Sequence, residues 1–243
     1  MATTNGRNEH GNKENGASSA ASAQKRPAVC VFCGASQGKS AAHMEAARAL
    51  GRALHEDNLN LVYGGGTVGM MGEVAKTLVS LSGPQAVHGI IPDALLRYER
   101  KYEENGVTKV VDPRKVIDEA EFGRTTVVKD MHTRKQMMAD EVKAGGVGGG
   151  FVALSGGYGT LEELMEMVTW NQLGIHAHPI VVFNVDGYWD GILQWVQKSV
   201  GEGFVSENNA GIMVEAKTSE EVIDRLRDYQ TAAGRFKLQW DEK

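Results

Sequence analysis

The chain has 243 residues, enough for one α/β domain with a sizeable core. Its 31 acidic and 26 basic residues give a formal charge of −5, so it lacks the general basic surface of a nucleic-acid-binding protein. The longest apolar runs are far shorter than a membrane span, and the N-terminus does not resemble a signal peptide. Composition therefore predicts a cytoplasmic protein with neither a nucleic-acid nor a membrane partner.

The two cysteines, Cys30 and Cys33, form a C-x-x-C pair. A structural zinc site would need a second Cys pair or a His pair at suitable spacing, and the sequence contains neither. Cys30 lies inside an apolar run, which favours a place in the core over a redox role. We therefore predict no metal site and no cofactor.

The first residues differ in composition from the rest of the chain. Residues 1–26 contain no large apolar residue after Met1, so we predict a disordered tail. We assign residues 27–243 to a single Rossmann-like domain.

From Ala28 onward, apolar runs alternate with helical patterns. The predicted strands are Ala28–Phe32, Asn60–Tyr63, Val87–Ile91, Lys109–Val111, Phe151–Leu154 and Pro179–Val185. The predicted helices are Ala41–His55, a helix ending near Leu81, a long pattern over Arg124–Val142, one beginning at Thr160, Trp189–Val200, and Ser219–Tyr229 with Ser219 as N-cap. A charged connection is expected at Arg97–Asn105 and a flexible glycine loop at Ala144–Gly150. This alternation predicts an α/β fold: a doubly wound parallel sheet with helices on both faces.

Two glycine-rich loops, Gly64–Gly72 and Ser155–Thr160, each follow a predicted strand and precede a helix. In a parallel sheet such loops share one rim, where ligands bind near the switch point. Neither loop is a G-x-G-x-x-G dinucleotide motif or a P-loop, which argues against a dinucleotide or a nucleoside triphosphate and leaves a mononucleotide open. Backbone amides at the start of the second helix would hold a phosphate.

The start of the second helix has the spacing of a capping box. Thr160 occupies the predicted first position, and Glu163 follows three residues later. The predicted core-facing stripe of this helix consists of Leu161, Leu164, Met165 and Val168. Considered by itself, this pattern would give Glu163 a purely structural role.

Two motifs together resemble a known family. Gly156-Gly-Tyr-Gly-Thr160 with Glu163, combined with Met131-His-Thr-Arg134-Lys135, is similar to the LONELY GUY family of cytokinin riboside 5′-monophosphate phosphoribohydrolases. Further matching stretches are VFCGAS at Val31, YGGGTVGMMGEVA at Tyr63 and WNQLGIH at Trp170. The resemblance extends from Ala28 to Ile223. Ser155 stands where the family pattern has proline, which removes a rigid φ but no reactive side chain.

The resemblance implies hydrolysis of the N-glycosidic bond in N6-substituted adenosine 5′-monophosphates, with release of free base and ribose 5-phosphate. It implies Glu163 and Arg134 as catalytic residues and a homodimer that takes a nucleoside 5′-monophosphate. The substrate-binding residues that it implies are Gly156, Gly157, Gly159, Thr160, Lys135, Met131, Gly65, Gly66 and Thr67. Residue patterns without the resemblance would place Arg134 and Lys135 on a solvated helix face, and Met131 in the core or a pocket wall.

Two other function classes stay open at this point. A non-catalytic nucleotide carrier or sensor could use the same fold, since it needs the glycine loops but not the carboxylate. A lysine decarboxylase would need a lysine that binds pyridoxal phosphate, and no lysine lies in a recognisable motif of that kind. The preferred N6 substituent cannot be deduced from the sequence.

Overall fold

A computed structural model of the protein describes residues 26–99, 101–104, 107–110 and 117–240. The strands are β1 Ala28–Phe32, β2 Asn60–Tyr63, β3 Val87–Pro92, β4 Lys101–Glu104, β5 Val107–Val110, β6 Arg124–Val128, β7 Gly150–Ala153, β8 Ile180–Phe183 and β9 Met213–Ala216. The helices are α1 Ala41–Glu56, α2 Gly69–Ser82, α3 Asp93–Glu99, α4 Glu119–Phe122, α5 Met131–Gly145, α6 Tyr158–Gln172, α7 Asp190–Gly201 and α8 Ser219–Asp228. Apart from Arg26, the predicted disordered tail lies outside the described residues.

Seven strands form a parallel sheet in the order β6-β3-β2-β1-β7-β8-β9. The chain winds outward from β1 through β2, β3 and β6. It then returns to place β7 on the free side of β1 and winds outward again through β8 and β9. The predicted doubly wound sheet is therefore confirmed, and its switch point lies between β1 and β7.

Side chains of alternate strand residues point to opposite faces of the sheet and belong to two hydrophobic layers, one on each face. In β1, Val29 and Val31 face the layer formed with α1, α2 and α8. Cys30 and Phe32 face the layer formed with α5, α6 and α7. Both cysteines are buried free thiols, so the predicted core position is confirmed.

The long helical pattern predicted over Arg124–Val142 is wrong in its first part. Residues Arg124–Val128 form β6, which pairs in parallel with β3, and the helix begins only at Met131. The β-branched run Thr125–Val128 favours a strand. Asp130 then caps α5, because its carboxylate accepts a hydrogen bond from the Thr133 N–H at 2.7 Å.

The strand predicted at Lys109–Val111 does not belong to the main sheet. Strand β5 ends at Val110 and pairs antiparallel with β4, which lies within the predicted connection Arg97–Asn105. Residues Asn105 and Val111 lie outside the described part. Strand β9 and the short helices α3 and α4 were not predicted.

Two predicted boundaries also shift. The N-cap of α8 is Thr218 rather than Ser219, because the Thr218 hydroxyl accepts a hydrogen bond from the Glu221 N–H. The loop predicted at Ala144–Gly150 is shorter, since α5 continues through Gly145 and β7 begins at Gly150. None of the helices within the described ranges is both long enough and apolar enough to cross a bilayer.

Candidate active site

The loops after β1, β2 and β7 meet at the carboxyl rim of the sheet. The Gly34 N–H donates a hydrogen bond to the Ser155 carbonyl at 3.0 Å, which joins the loops at the switch point. The Gly34 carbonyl accepts a hydrogen bond from the Met71 N–H of α2 at 3.3 Å. Both predicted glycine loops therefore lie on one rim, as expected from a parallel sheet.

Helix α6 begins three residues earlier than a capping box with Thr160 as its N-cap requires. Gly157 is the N-cap, and Thr160 is the third residue of the helix. The predicted capping box is therefore wrong, and the Glu163 side chain points toward α5 instead. Gly157 has no side chain with which to cap the first amides, so these N–H groups keep their donor capacity.

The buried face of α6 also differs from the predicted stripe. Leu164 and Met167 are buried, whereas Leu161, Met165 and Val168 are only partly buried. Thr160, Glu163 and Asn171 complete the buried face. Leu161, Leu164 and Val168 pack against the core as predicted, whereas Met165 does not. The helix also directs polar side chains inward, which an apolar stripe does not reveal.

Three glycines of the loop serve different purposes. A Cβ at Gly156 would lie 2.7 Å from Thr160 Cβ and 2.9 Å from the Gly34 nitrogen, so Gly156 permits a close backbone approach. At Gly157 and Gly159, a Cβ would meet no atom within 4 Å. These two exposed glycines leave open space in front of the first turn of α6, where the helix dipole favours an anion.

This difference predicts that two adjacent substitutions have unequal effects on stability. We expect Gly156→Ala to lower the free energy of unfolding by roughly 1–3 kcal/mol, because the new methyl group overlaps backbone that cannot move cheaply. Gly157→Ala should stay within about 0.5 kcal/mol of the parent, since φ is −95° and the space is open. Urea denaturation of both variants measures the difference, and equal losses would contradict the packing argument.

Arg134 and Glu163 form a buried ion pair between α5 and α6. The distance from Arg134 Nη1 to Glu163 Oε1 is 3.1 Å, and the two side chains are 7% and 8% exposed. Arg134 Nε donates a hydrogen bond to the Ile90 carbonyl of β3 at 3.1 Å, which fixes the guanidinium. Within the described part of the chain, no donor makes a well-directed hydrogen bond to Glu163 Oε1. That oxygen is inaccessible to solvent and faces the Arg134 guanidinium.

The surroundings of Glu163 oppose its ionisation. Burial raises the pKa of the Glu163 carboxyl above its ordinary value, and the nearby Arg134 guanidinium only partly offsets this. A carboxylate with a raised pKa beside a fixed cation is typical of a catalytic position.

The Gly64–Gly72 loop encloses the guanidinium from the β2 side. A Cβ at Gly64 would overlap Arg134 Nη2, so only glycine lets the guanidinium reach this position. Gly65 has φ of +73°, which favours glycine as well. Gly66 is buried and Thr67 partly buried in the same loop, which approaches Arg134 at Gly64.

Lys135 and Met131 lie on α5 next to Arg134. The Lys135 ammonium contacts Glu162 Oε1 and lies 3.1 Å from Glu166 Oε2, so it is paired with two carboxylates of α6. Met131 is exposed, and its sulfur lies 3.8 Å from Arg134 Nη1. Met131 is thus placed at the solvent side of the buried pair rather than in the core.

The glycine loop is held by two residues that the sequence analysis did not single out. Ser155 Oγ lies 3.0 Å from His43 Nδ1 of α1, and the Tyr188 hydroxyl donates a hydrogen bond to the Gly156 carbonyl. The His43 and Tyr188 rings are in edge contact, with centroids 5.8 Å apart. Both side chains line a cleft of about 330 Å³ beside Gly157. In the sequence, the one signal for such a contact is Ser155, whose hydroxyl stands where the family pattern has proline.

A glycine loop and an open helix N-terminus at the switch point of a parallel sheet define a Rossmann-like α/β protein. No group of three or more His, Cys, Asp or Glu side chains in the described ranges is arranged to hold a metal ion.

Comparison with known proteins narrows this class to a family. Residues 71–226 match the profile of the family described as "Possible lysine decarboxylase". The chain is 41% identical over 216 residues to the cytokinin riboside 5′-monophosphate phosphoribohydrolase LOG7 of Arabidopsis thaliana, and the match covers 88% of each chain. The protein therefore belongs to the LONELY GUY family, which its motifs resemble.

A second relative is longer. The chain is 51% identical over 214 residues to the "Bifunctional cytokinin biosynthesis protein" of Fusarium pseudograminearum (strain CS3096). The match covers 87% of this chain but only 42% of the Fusarium protein. Among solved structures, the Moco carrier protein of Chlamydomonas reinhardtii is similar, with a TM-score of 0.53 and 17% identity over 84% of this chain and 97% of that chain. A likeness at this identity concerns the fold only.

Proposed function

We propose that the protein hydrolyses the N-glycosidic bond of cytokinin riboside 5′-monophosphates and releases the free base and ribose 5-phosphate. The observation that carries this proposal is the buried Arg134–Glu163 pair, which lies beside the open first turn of α6. The activity named for the Arabidopsis relative, at 41% identity, supports the same reaction. Because the match covers only 42% of the Fusarium protein, the activity of the whole protein is also stated as a proposal.

The glycine loop would bind the 5′-phosphate. The amides of the first turn of α6, beside Gly157 and Gly159, provide donors in open space, and the helix dipole adds a partial positive charge. Glu163 follows Tyr158 by five residues, or about 8 Å along the helix axis. The proposal places the attached sugar between this phosphate site and the carboxylate.

Glu163 would act on the reacting carbon of that sugar. Cleavage of an N-glycosidic bond passes through a transition state that resembles an oxocarbenium ion, which a carboxylate stabilises. A positioned carboxylate can also orient and deprotonate the attacking water. Arg134 would hold this carboxylate in place and supply a positive charge toward the phosphate or the departing base.

The test compares three substrates of the proposed enzyme: N6-isopentenyladenosine 5′-monophosphate, its riboside and AMP. If the loop binds the phosphate, the riboside should have a kcat/KM at least ~10²-fold lower, because two charge-assisted hydrogen bonds are lost. Chromatography of the released base measures all three rates, and AMP reports the contribution of the N6 substituent. Equal cleavage of riboside and monophosphate would contradict the role of the loop. Tight binding without base release would indicate a carrier.

Three further expectations belong to the proposal. Residues 27–243 would form one domain, and the protein would act in the cytoplasm. It would assemble as a homodimer, which light scattering measures. Tyr158, 95% exposed at the start of α6, and Phe204, 87% exposed, are large apolar side chains that a partner subunit could cover.

A further inference from the structure

The Lys135 side chain is enclosed between α5 and α6. Its ammonium contacts Glu162 Oε1 and lies 3.2 Å from Glu166 Oε1, and the side chain is only 10% exposed. An ammonium has three donors, and two carboxylates already occupy it. This geometry leaves Lys135 little capacity to bind a substrate phosphate, although its neighbour Arg134 contacts the proposed catalytic carboxylate.

Helix α6 presents three carboxylates to α5 within two turns. Glu162 and Glu166 lie on either side of Glu163 in the sequence. Helix α5 provides two cations, of which Arg134 pairs with Glu163 and Lys135 pairs with the other two carboxylates. The titratable and charged groups around Glu163 come from three elements: Arg134 and Lys135 of α5, Glu162 and Glu166 of α6, and the thiols of Cys30 and Cys33, at and just beyond the end of β1. Without Lys135, three carboxylates would face one guanidinium.

We propose that Lys135 is a positioning residue, which neutralises Glu162 and Glu166 and thereby keeps the neighbouring Glu163 carboxylate ionised for catalysis. This inference rests on the proposed role of Glu163. Like charges close to a buried carboxylate favour its protonated form, and a compensating cation removes that effect. Burial has already raised the pKa of Glu163, so any additional negative charge would move the pKa further toward neutral pH.

The state of Lys135 is consistent with this role. Burial by itself would lower the pKa of the Lys135 ammonium, but the Glu162 and Glu166 carboxylates outweigh burial and raise that pKa. The ammonium therefore stays charged throughout the range in which Glu163 titrates.

The experiment is the pH profile of kcat for Lys135→Gln. Activity requires ionised Glu163, so activity is lost as pH falls through the pKa of that carboxyl. Loss of the cation should move this acid limb upward by about one pH unit, which lowers kcat ~10-fold on the limb. Above the limb, kcat should return to within about twofold of the parent, with KM nearly unchanged. Lys143→Gln, on the same helix but paired with Asp140, is the matched control and should leave the profile unchanged.

Removal of the two flanking carboxylates provides the rescue. In Lys135→Gln/Glu162→Gln/Glu166→Gln, the acid limb should return toward its position in the parent. An increased KM for the monophosphate with an unmoved acid limb would overturn the proposal and make Lys135 a substrate ligand. Carbon-13 NMR titration of Glu163 in parent and variant gives a readout that needs no turnover. If the parent releases no base, the proposed function fails, while an unshifted Glu163 titration in Lys135→Gln would overturn this inference separately.

Discussion

Replacement of Glu163 by glutamine should lower turnover by at least ~10²-fold, the lower end of what a positioned acid or base contributes. Glutamine keeps the shape of the side chain and one oxygen that can accept from Arg134, so the variant should fold and still bind a nucleoside monophosphate. Its stability should be lower than that of the parent, because the buried guanidinium loses its counter-charge. It cannot carry the negative charge that stabilises an oxocarbenium-like transition state. Chromatography of released base measures turnover, and calorimetry measures nucleotide binding.

The adjacent acid provides the control for this substitution. Glu162 lies on the same helix, and its side chain is 53% exposed. Glu162→Gln should therefore keep turnover close to that of the parent, since Lys135 retains Glu166 as a partner. If Glu163→Gln also retained near-normal turnover, Glu163 would be only the structural partner of Arg134, and the catalytic group would lie elsewhere on the rim.

Replacement of Arg134 by methionine should have the largest effect on stability. The change leaves the Glu163 carboxylate buried without a counter-charge, and loss of one partner of a buried ion pair costs roughly 3–5 kcal/mol. It also removes the donor that binds the Ile90 carbonyl. We expect turnover to fall together with weaker binding of the monophosphate, because the guanidinium charge is used in the ground state as well.

The stability loss in Arg134→Met should depend on pH in a defined direction. Burial raises the pKa of Glu163 in the folded protein above that in the unfolded chain. Stability from such a group is fully present below the unfolded pKa and is lost as pH rises through the folded pKa. Without Arg134, the folded pKa rises further, so the variant should lose more stability at pH 8 than at pH 5. Urea denaturation at the two pH values measures this.

A double variant separates charge from packing at the same site. Arg134→Met/Glu163→Gln removes both charges, so it should recover much of the stability that Arg134→Met loses, without recovering turnover. A double variant no more stable than Arg134→Met would show that packing or the Ile90 hydrogen bond, rather than the unpaired charge, causes the loss.

The placement of the site could be predicted because it depends on the parallel sheet. Once the strand–helix alternation was recognised, Gly64–Gly72 and Ser155–Thr160 had to share the carboxyl rim. That Arg134 pairs with Glu163 could not be deduced from spacing alone. It depends on α5 and α6 packing on the same face, which the strand order places side by side at β1 and β7.

The predictions that are wrong concern segments whose local sequence pattern is compatible with two different structures. Thr160 and Glu163 satisfy the capping-box spacing, but the glycines before Thr160 allow the helix to begin at Tyr158, and this turns Glu163 toward Arg134. Residues Arg124–Val128 form a strand because they pair with β3, and this partner is too distant in sequence to be recognised from the local pattern. The contacts of Ser155 with His43 and of Gly156 with Tyr188 join distant segments and have no local signal.

The strand order has a consequence for the protein while it is being made on the ribosome. Strand β1 lies at the middle of the sheet, yet its second neighbour, β7, is synthesised only after β2, β3, β6 and α5. Until then, one side of β1 presents unpaired backbone groups, which can pair with another nascent chain. Glu163 follows β7, so a chain that is released early would be prone to aggregate and would lack the proposed catalytic carboxylate. A chain that terminates prematurely would therefore be bound by chaperones or degraded by proteases and would not have partial activity.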